Sequence, residues 1–298
     1  MSEREPPFES VGDLQRSLQG EAYLADRGLA TAIYLALSLD KPLLLEGEAG
    51  VGKTEVAKAL AAALDRRLIR LQCYEGIDAS QALYEWNYPR QLLAIRAMPG
   101  TEAAGHVDDL FGPEFLVERP LLEAIRAGRG TVLLVDELDR ADDEFEAFLL
   151  EVLSEFAVSI PELGRIGAEH PPAVIVTSNR TRELHDALKR RCLYFWIDYP
   201  DFDKELRIVT AKVPEAPARL ARQVTSFVHE LRATELYKSA GVSETLDWMT
   251  ALVALDQQEL NVETIEQTLG ILLKNQEDIQ SLRGERIAEL LNRAQLRA

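Results

Sequence analysis

The sequence predicts an α/β domain with a mostly parallel sheet flanked by helices, followed by a small all-α domain. Up to Pro200, short continuous apolar runs alternate with stretches of helical periodicity. Such runs are typical of strands buried on both faces, and the helical stretches are typical of the connections in a parallel sheet. After Pro200, apolar residues recur at helical spacing, which favours about five helices and little strand. We therefore place one domain at residues 1–200 and a helical domain at residues 201–298; the alternative is that the later helices extend the first core.

The predicted sheet has its strands at residues 42–46, 68–72, 131–135, 173–177 and 194–197. In open sheets of this class, ligands bind beyond the carboxyl ends of the strands. In the helical region, Ser243 and Asn261 are candidate N-caps, because their side chains can accept hydrogen bonds from the first free backbone N–H groups of a helix.

Two insertions interrupt the alternation, at about residues 74–119 and 156–172. The second has Val158 and Ile166 on either side of a turn sequence, which predicts a β-hairpin. Within the first, Met98 to Pro113 carries the glycines and prolines of an exposed loop. Segments of this length in a compact domain are usually functional or disordered.

Composition excludes several classes of function. The 298 residues include 33 Lys and Arg against 50 Asp and Glu, a formal net charge of -17. This argues against a general binder of nucleic-acid phosphates and against adhesion to an anionic membrane. The longest uncharged stretch, Leu29 to Leu39, is too short to span a bilayer, and the first ten residues lack the apolar run of a signal peptide. We expect a cytoplasmic protein with no membrane insertion, in which Cys73 and Cys192 are reduced thiols.

The strongest motif follows the first predicted strand and precedes a helix. It matches G-x-x-x-x-G-K-[ST] with the residues Gly47, Glu48, Ala49, Gly50, Val51, Gly52, Lys53 and Thr54. Glycines let backbone N–H groups curve around phosphates without Cβ clashes, and the helix N-terminus adds partial positive charge. Lys53 is predicted to neutralise the β and γ oxygens of ATP, and Thr54 to give its hydroxyl to Mg²⁺. The alternative is a glycine-rich turn with an exposed lysine.

Two adjacent acids, Asp136 and Glu137, end the third predicted strand. Carboxylates at the edge of a buried sheet are costly unless they meet a cation or its waters. We predict that Asp136 holds Mg²⁺ through water and that Glu137 polarises the attacking water. Most of the remaining acids up to Glu146 are expected to form a solvated helix start. Taken alone, the pair would also suit solvent-exposed acids that open a loop.

An amide and a basic cluster follow the next two strands. Asn179 ends the fourth strand, where its side chain can hydrogen-bond the γ-phosphate and the attacking water; alone, an asparagine there usually marks a turn. Arg190 and Arg191 lie in a basic run within a very acidic chain. An arginine delivered to a neighbour's phosphate would stabilise the charge of phosphoryl transfer. Cations at a helix C-terminus are the alternative interpretation.

The order of these motifs resembles that of the AAA+ ATPases, and within them the MoxR family. The segment from Asp136 to Ala141 is close to the family's D-E-I-N-R-A, and residues 23–47 are similar in spacing to its adenine-side segment. The resemblance covers nearly the whole chain and implies a P-loop NTPase fold with a helical lid. Residues 72–76, 82–90 and 243–248 look like the CoxD-like branch, which is associated with maturation of molybdenum hydroxylases such as carbon monoxide dehydrogenase.

The resemblance implies roles for single residues. Tyr23 and Leu24 would flank the adenine of ATP, and Asn179 would be the residue called sensor 1. Arg190 matches the family's arginine that acts on a neighbouring subunit, and Arg191 stays the alternative.

The resemblance also implies partners. Family members form rings, usually hexamers, act on a client protein and usually work with a von Willebrand factor A domain protein; their insertions face the central pore. One position departs from the family. Thr245 stands where its members carry a lid arginine in a G-x-S-P-R setting, which puts a direct contact between the lid and the γ-phosphate in question.

Three functions suit these motifs. The first is a protein-remodelling ATPase with ATP held between adjacent subunits, which the charge of -17 favours over a DNA client. The second is a nucleic-acid-dependent motor or loader on the same fold, although the insertion at 156–172 carries Arg165 as its only basic Lys or Arg side chain. The third is a P-loop small-molecule kinase, which needs an acceptor site and no arginine from a neighbour.

Overall fold

A computed structural model of the chain describes residues 7–97 and 108–297. The described residues divide into two compact units. One contains the residues up to Glu21 together with Ala25–Glu46 and Thr54–Trp196, and the other contains Ala22–Leu24, Gly47–Lys53 and the residues from Ile197 onward. The domain division at residue 200 stays a prediction.

The strands are β1 (Leu43–Gly47), β2 (Arg67–Gln72), β3 (Tyr84–Trp86), β4 (Leu116–Glu118), β5 (Thr131–Asp136), β6 (Ala157–Ile160), β7 (Gly164–Gly167), β8 (Ala173–Ser178) and β9 (Leu193–Ile197). Within the described residues, one sheet contains five of them in the order β2-β5-β8-β1-β9. The pairings of β2 with β5, β5 with β8 and β8 with β1 are parallel. All five apolar runs are therefore confirmed as strands of one sheet.

The helices before residue 197 are α1 (Val11–Gly20), α2 (Arg27–Leu39), α3 (Lys53–Ala63), α4 (Ala79–Ala82), α5 (Tyr88–Ala97), α6 (Pro120–Ala127), α7 (Asp143–Glu155) and α8 (Asp186–Lys189). The core of the first unit contains Leu44, Ile69 and Leu133 of the sheet, with Leu121 of α6 and Leu149 of α7. Burying each such leucine side chain contributes about 1.5–3 kcal/mol. This packing fixes the sheet whose carboxyl edge carries the candidate site.

The insertion at 74–119 has secondary structure of its own. It contains α4, α5 and an antiparallel pairing of β3 with β4, in which Tyr84 lies opposite Glu118. Residues 98–107 of the predicted loop from Met98 to Pro113 lie outside the described residues. Its described end is ordered into a short 3₁₀ helix at Asp108–Phe111, where Leu110 is buried in the core. The expectation of an exposed loop is therefore wrong for that end.

The hairpin predicted at 156–172 is confirmed. β6 and β7 pair antiparallel, with Ala157 opposite Gly167 and Ile160 opposite Gly164. Val158 and Ile160 are buried while Ser159 between them is exposed, so one face of the ribbon packs and the other meets solvent.

The helices of the second unit are α9 (Phe202–Lys212), α10 (Ala218–Arg232), α11 (Val242–Ala254), α12 (Val262–Leu272), α13 (Gln276–Leu282) and α14 (Glu285–Arg297). At its centre the rings of Phe227 and Trp248 lie 5.5 Å apart, and the Trp248 indole N–H donates to the Thr268 hydroxyl at 2.8 Å. Asn261 is confirmed as the N-cap of α12, whereas Gly241 and not Ser243 caps α11.

Both cysteines are free thiols. Burial raises the pKa of Cys73 to about 12, with a further contribution from the charge of Asp136, and burial also raises the pKa of Cys192 to about 12. Among residues 7–97 and 108–297, every helix is too short or too polar to cross a membrane.

Candidate functional site

The glycine-rich loop joins β1 to α3, and Lys53 is the first residue of that helix. Its ammonium is buried and donates to the carbonyl oxygens of Gly47 at 2.7 Å and Glu48 at 2.6 Å. Gly50 and Gly52 have φ values of 78° and 94°, which glycine adopts without the steric cost that a side chain brings. The backbone of the loop therefore curves around the Lys53 ammonium, which is bonded to two carbonyl oxygens of the same loop.

The same loop contacts the start of α11, within the second unit. The carbonyl of Gly50 accepts the N–H groups of Val242 at 2.9 Å and Ser243 at 3.2 Å. A Cβ on Gly241 would lie 2.7 Å from the Cα of Gly50. The two backbones meet because both positions are glycine.

A hydroxyl and a carboxylate meet at the carboxyl edge of the sheet. Asp136 ends β5 and is 1% exposed. Its Oδ1 accepts hydrogen bonds from the hydroxyls of Thr54 at 3.0 Å and Thr177 at 2.6 Å. Carboxylate and hydroxyl oxygens are the ligands that Mg²⁺ prefers. The donor set of Thr54 and Asp136 therefore fits a magnesium ion.

Arg70 compensates the buried carboxylate. Its Nε and Nη2 donate to Oδ2 of Asp136 at 3.0 and 2.6 Å. Arg70 lies on β2, which pairs with β5 so that Gln72 is opposite Asp136. The role of this arginine was not predicted from the sequence. The available signal is a charged residue between two apolar residues of the strand, Ile69 and Leu71, which needs a partner beside it.

Glu137 and Asn179 are brought together. Oε1 of Glu137 lies 3.4 Å from Nδ2 of Asn179. Its Oε2 accepts from Gln72 Nε2 at 3.1 Å and from the guanidinium of Arg140 at 3.1 Å. Its backbone N–H donates to the Thr177 hydroxyl at 2.9 Å. Gln72, Arg140 and Thr177 are site residues that the sequence analysis did not identify.

Most of the acids after Glu137 are exposed, as expected, but two of them are buried. Asp139 and Glu146 are 2% and 1% exposed. The Asp139 carboxylate accepts the N–H of Asn179 at 3.1 Å and the N–H of Thr181 at 2.9 Å. Glu146 pairs with Arg182. These contacts tie the loop after β8 to the loop after β5, which positions Asn179 beside Glu137.

The two arginines of the basic run have different surroundings. Arg191 donates to the hydroxyl of Ser154 on α7. Arg190 is exposed, and within the described part of the chain its guanidinium has no hydrogen-bond or ion-pair partner. The structure does not bring either arginine to Glu137 of the same chain.

Thr245 and the candidate adenine-side residues belong to the second unit. Tyr23 and Leu24 are half-buried there, in the same unit as the glycine-rich loop. Thr245 is buried, with its hydroxyl 2.8 Å from Oε1 of Glu205 and 3.0 Å from the carbonyl of Gly241. The threonine thus takes part in a buried hydrogen-bond network.

Glu205 is the centre of that network. It is fully buried and accepts from the guanidinium of Arg232 at 2.5 and 2.8 Å, while Nε2 of His229 lies 2.8 Å away. Arg232 also lies 4.7 Å from the ring centre of Tyr199. Burial by itself would raise the pKa of Glu205, but hydrogen bonds from His229 and Arg232 and the charge of Arg232 outweigh it, so the pKa is lowered.

Comparison with known proteins gives a family and relatives. A family model described as AAA domain (dynein-related subfamily) matches residues 42–192. An uncharacterized protein of Staphylococcus haemolyticus is 26% identical over 224 residues, 73% of this chain and 78% of the relative. One of Staphylococcus aureus is 26% identical over 223 residues, 73% of this chain and 77% of the relative. The Thermotoga maritima RuvB Holliday junction branch migration motor aligns over 89% of this chain and 71% of its own, with 15% identity and a TM-score of 0.47.

Proposed function

The chain belongs to the dynein-related AAA-domain family, and on that premise we propose that it is an ATP-hydrolysing AAA+ protein of MoxR type that remodels a client protein. One observation is the main support for an ATPase. Thr54, Asp136, Glu137 and Asn179 lie together at the carboxyl edge of one sheet, with hydrogen bonds joining Thr54 to Asp136 and Asn179 to Glu137. A magnesium-binding pair thus stands beside a carboxylate and an amide suited to a water molecule.

Binding of ATP is assigned to the loop and its flanks. The backbone N–H groups of residues 47–54 would surround the phosphates, and Lys53 would exchange its two loop carbonyls for phosphate oxygens. Thr54 and Asp136 would hold Mg²⁺, which supplies charge neutralisation on the phosphate oxygens. Tyr23 and Leu24 are proposed to flank the adenine.

Hydrolysis is assigned to Glu137, with Asn179 as its neighbour. Gln72 and Arg140 both donate to Oε2 of Glu137, which fixes the direction of the carboxylate. Oε1 remains directed towards Asn179. In this arrangement Glu137 accepts the proton of the attacking water, while the Asn179 amide orients that water and donates to the γ-phosphate.

The arginine that acts on a neighbouring subunit is proposed to be Arg190. Arg190 is exposed and without a partner within the described residues, whereas Arg191 is bonded to Ser154 of its own chain. An exposed guanidinium is available to a phosphate of an adjoining copy. This supports a ring homo-oligomer, for which a hexamer is the expected size.

The client is proposed to be a protein. The net charge of -17 opposes a phosphate-backbone client, and Arg165 of the β6–β7 hairpin is already paired with Glu155 at 2.6 Å. A molybdenum hydroxylase as client and a von Willebrand factor A domain partner belong to this proposal through the resemblance to the MoxR family and its CoxD-like branch.

Two variants test the ATPase proposal. Lys53→Ala should abolish ATP binding, and Glu137→Gln should bind ATP while turnover falls by ~10²-fold or more, because the proton acceptor is lost. Calorimetry and phosphate release measure the two properties. Glu144→Gln, the same change at an exposed acid on α7, is the matched control and should behave like the parent. Turnover by Glu137→Gln at the parent rate would refute the assignment.

A further inference from the structure

A recess of about 400 Å³ lies at the amino edge of the sheet in the first unit. Its lining includes Arg66, Arg129 and Ala173, which stand within two residues of the first residue of β2, β5 and β8, respectively. Because those strands are parallel, their amino ends lie opposite the edge that carries Asp136 and Asn179. The recess is therefore separate from the candidate ATPase site.

Part of its wall is apolar. Ile33 and Leu37 of α2, Leu60 of α3 and the pair Pro171 and Pro172 contribute to the lining. Leu37 and Pro171 are half-buried and keep accessible surface, whereas Ile33 and Leu60 are fully buried. The volume lies within the range of about 300–1,000 Å³ that small-molecule sites occupy. The recess thus has the size and walls of a site for a compact organic molecule.

The charged residues of the lining are mainly basic. Arg66, Arg129 and Lys41 stand against one acid, Asp40. Within residues 7–97 and 108–297, the guanidinium groups of Arg66 and Arg129 have no hydrogen-bond or ion-pair partner. This is unusual in a chain with 50 Asp and Glu, because buried or half-buried charges are normally paired. Burial and then the charge of Arg129 lower the pKa of Arg66, so the two cations repel each other.

Tight turns hold both arginines in place. Arg66 follows Asp65, whose φ is 51°, and its N–H donates to the carbonyl of Ala61 at 2.8 Å. Arg129 follows Gly128, whose φ is 52° and where a Cβ would lie 2.5 Å from the carbonyl oxygen of His170. Each arginine follows the C-terminus of a helix, whose partial negative charge offsets part of the repulsion but supplies no paired oxygens for a guanidinium.

We propose that this recess binds a small organic anion whose carboxylate or phosphate lies between Arg66 and Arg129 and whose apolar body packs against Leu37 and Pro171. A guanidinium presents paired N–H groups, which can donate together to two oxygens of one carboxylate or phosphate. The anion also removes the repulsion between the two cations. A compact molecule is favoured over a peptide segment because the volume of the recess is only about 400 Å³.

Fluorine NMR of small aromatic probes tests the proposal. The first probe is 4-fluorobenzoate, with 4-fluorobenzyl alcohol as its neutral analogue. The second is 4-fluorophenyl phosphate, used with the Lys53→Ala protein so that the glycine-rich loop cannot account for phosphate binding. We expect line broadening at ~1 mM of one or both anions and none for the alcohol; the anion that binds identifies the group that the recess takes.

Variants locate the binding. Arg66→Gln combined with Arg129→Gln should weaken the bound anion by ~10-fold or more, and Arg66→Lys, which keeps the charge but loses the paired N–H groups, should weaken it by a smaller factor. Arg283→Gln, at an exposed arginine of the helical unit, should change nothing. The proposal would be overturned if the alcohol bound as well as the anions, or if neither anion bound at ~10 mM. It would also be overturned if the double variant and Arg66→Lys both kept full affinity.

Discussion

Glu137 has a left-handed backbone conformation, with φ 54° and ψ 51°. Such a conformation costs a residue with a side chain on the order of 1–3 kcal/mol and persists where the surroundings enforce it. Three hydrogen bonds enforce it in Glu137. Its N–H donates to Thr177, and its carboxylate accepts from Gln72 and Arg140. The strained turn aims the carboxylate at Asn179 instead of along the strand.

Arg190→Ala is expected to lower ATP turnover by ~10³-fold with ATP binding retained, because an arginine in trans stabilises the transition state. Arg191→Ala should keep most activity, since its guanidinium is bonded to Ser154. Phosphate release from each protein measures the effect.

Mixed rings show whether Arg190 acts between subunits. A mixture of inactive Lys53→Ala with inactive Arg190→Ala should regain activity, because the first protein supplies the arginine and the second supplies the intact loop. Mixtures that stay inactive, or a greater loss in Arg191→Ala, would contradict the assignment.

Glu205→Gln is expected to destabilise the helical unit by about 3–5 kcal/mol at pH 7, because Arg232 is left as a buried unpaired charge. The folded pKa of Glu205 lies below its ordinary value of 4.5. The stability that its charge contributes is therefore complete above that ordinary value and is lost as pH falls through the folded pKa. Urea unfolding followed by tryptophan fluorescence at several pH values, in a background where Trp86 and Trp196 are replaced by Phe so that the signal comes from Trp248, measures this.

The parent and Glu205→Gln should accordingly approach each other in stability as the pH falls below 4.5, the ordinary pKa of a glutamate, and then through the lower folded pKa. The other titratable groups that face this site are His229 and Arg232 on α10, with Tyr199 against Arg232. Glu235→Gln, at an exposed acid, serves as control. A stability difference independent of pH would contradict the role of the Glu205 charge.

At the scale of the element, the start of α11 depends on glycine. Gly241→Ala is expected to destabilise the protein by about 1–3 kcal/mol and to weaken ATP binding, because the new methyl would lie 2.7 Å from the Cα of Gly50 and 2.9 Å from the carbonyl of Ala49. Thermal unfolding and calorimetry with an ATP analogue measure the two effects.

Gly270→Ala is the matched control. It places the same methyl inside α12, where nothing lies within 4 Å, and it should stabilise the protein by about 0.5–1 kcal/mol because alanine favours the helix. If the two substitutions shift stability in the same direction, the contact between Gly241 and Gly50 does not control the position of the loop.

Elements differed in how well the sequence predicted them. The inner strands β1, β5 and β8 were predicted because burial on both faces leaves continuous apolar runs. β3 and β4 were not, since three residues are too few to show a period. Arg70 and Gln72 were missed for a different reason. They reach Asp136 and Glu137 because β2 pairs with β5, and the choice of strand neighbour is a property of packing that local sequence patterns do not contain.

At the scale of the whole molecule, the proposed arginine in trans makes activity a property of the assembly. ATP turnover per chain should rise with protein concentration and reach a plateau, because a lone chain lacks the neighbour's Arg190. Turnover measured across dilutions, together with light scattering, tests this.

Two other outcomes would indicate a different function. Activity that does not depend on protein concentration would indicate a monomeric enzyme such as a kinase. Strong stimulation by DNA that disappears at high salt would indicate a nucleic-acid motor.

The position of β1 in the sheet has a consequence for biosynthesis. β1 is made early, but its two neighbours, β8 and β9, begin only at Ala173 and Leu193. At about 5–20 residues per second, a ribosome needs on the order of ten seconds to make the intervening chain. During that time the leucines at 43–45, fully covered in the finished protein, have no strand beside them. Nascent chains should therefore engage holdase chaperones until β9 has left the exit tunnel, and gene fragments that stop before Ala173 should yield insoluble product.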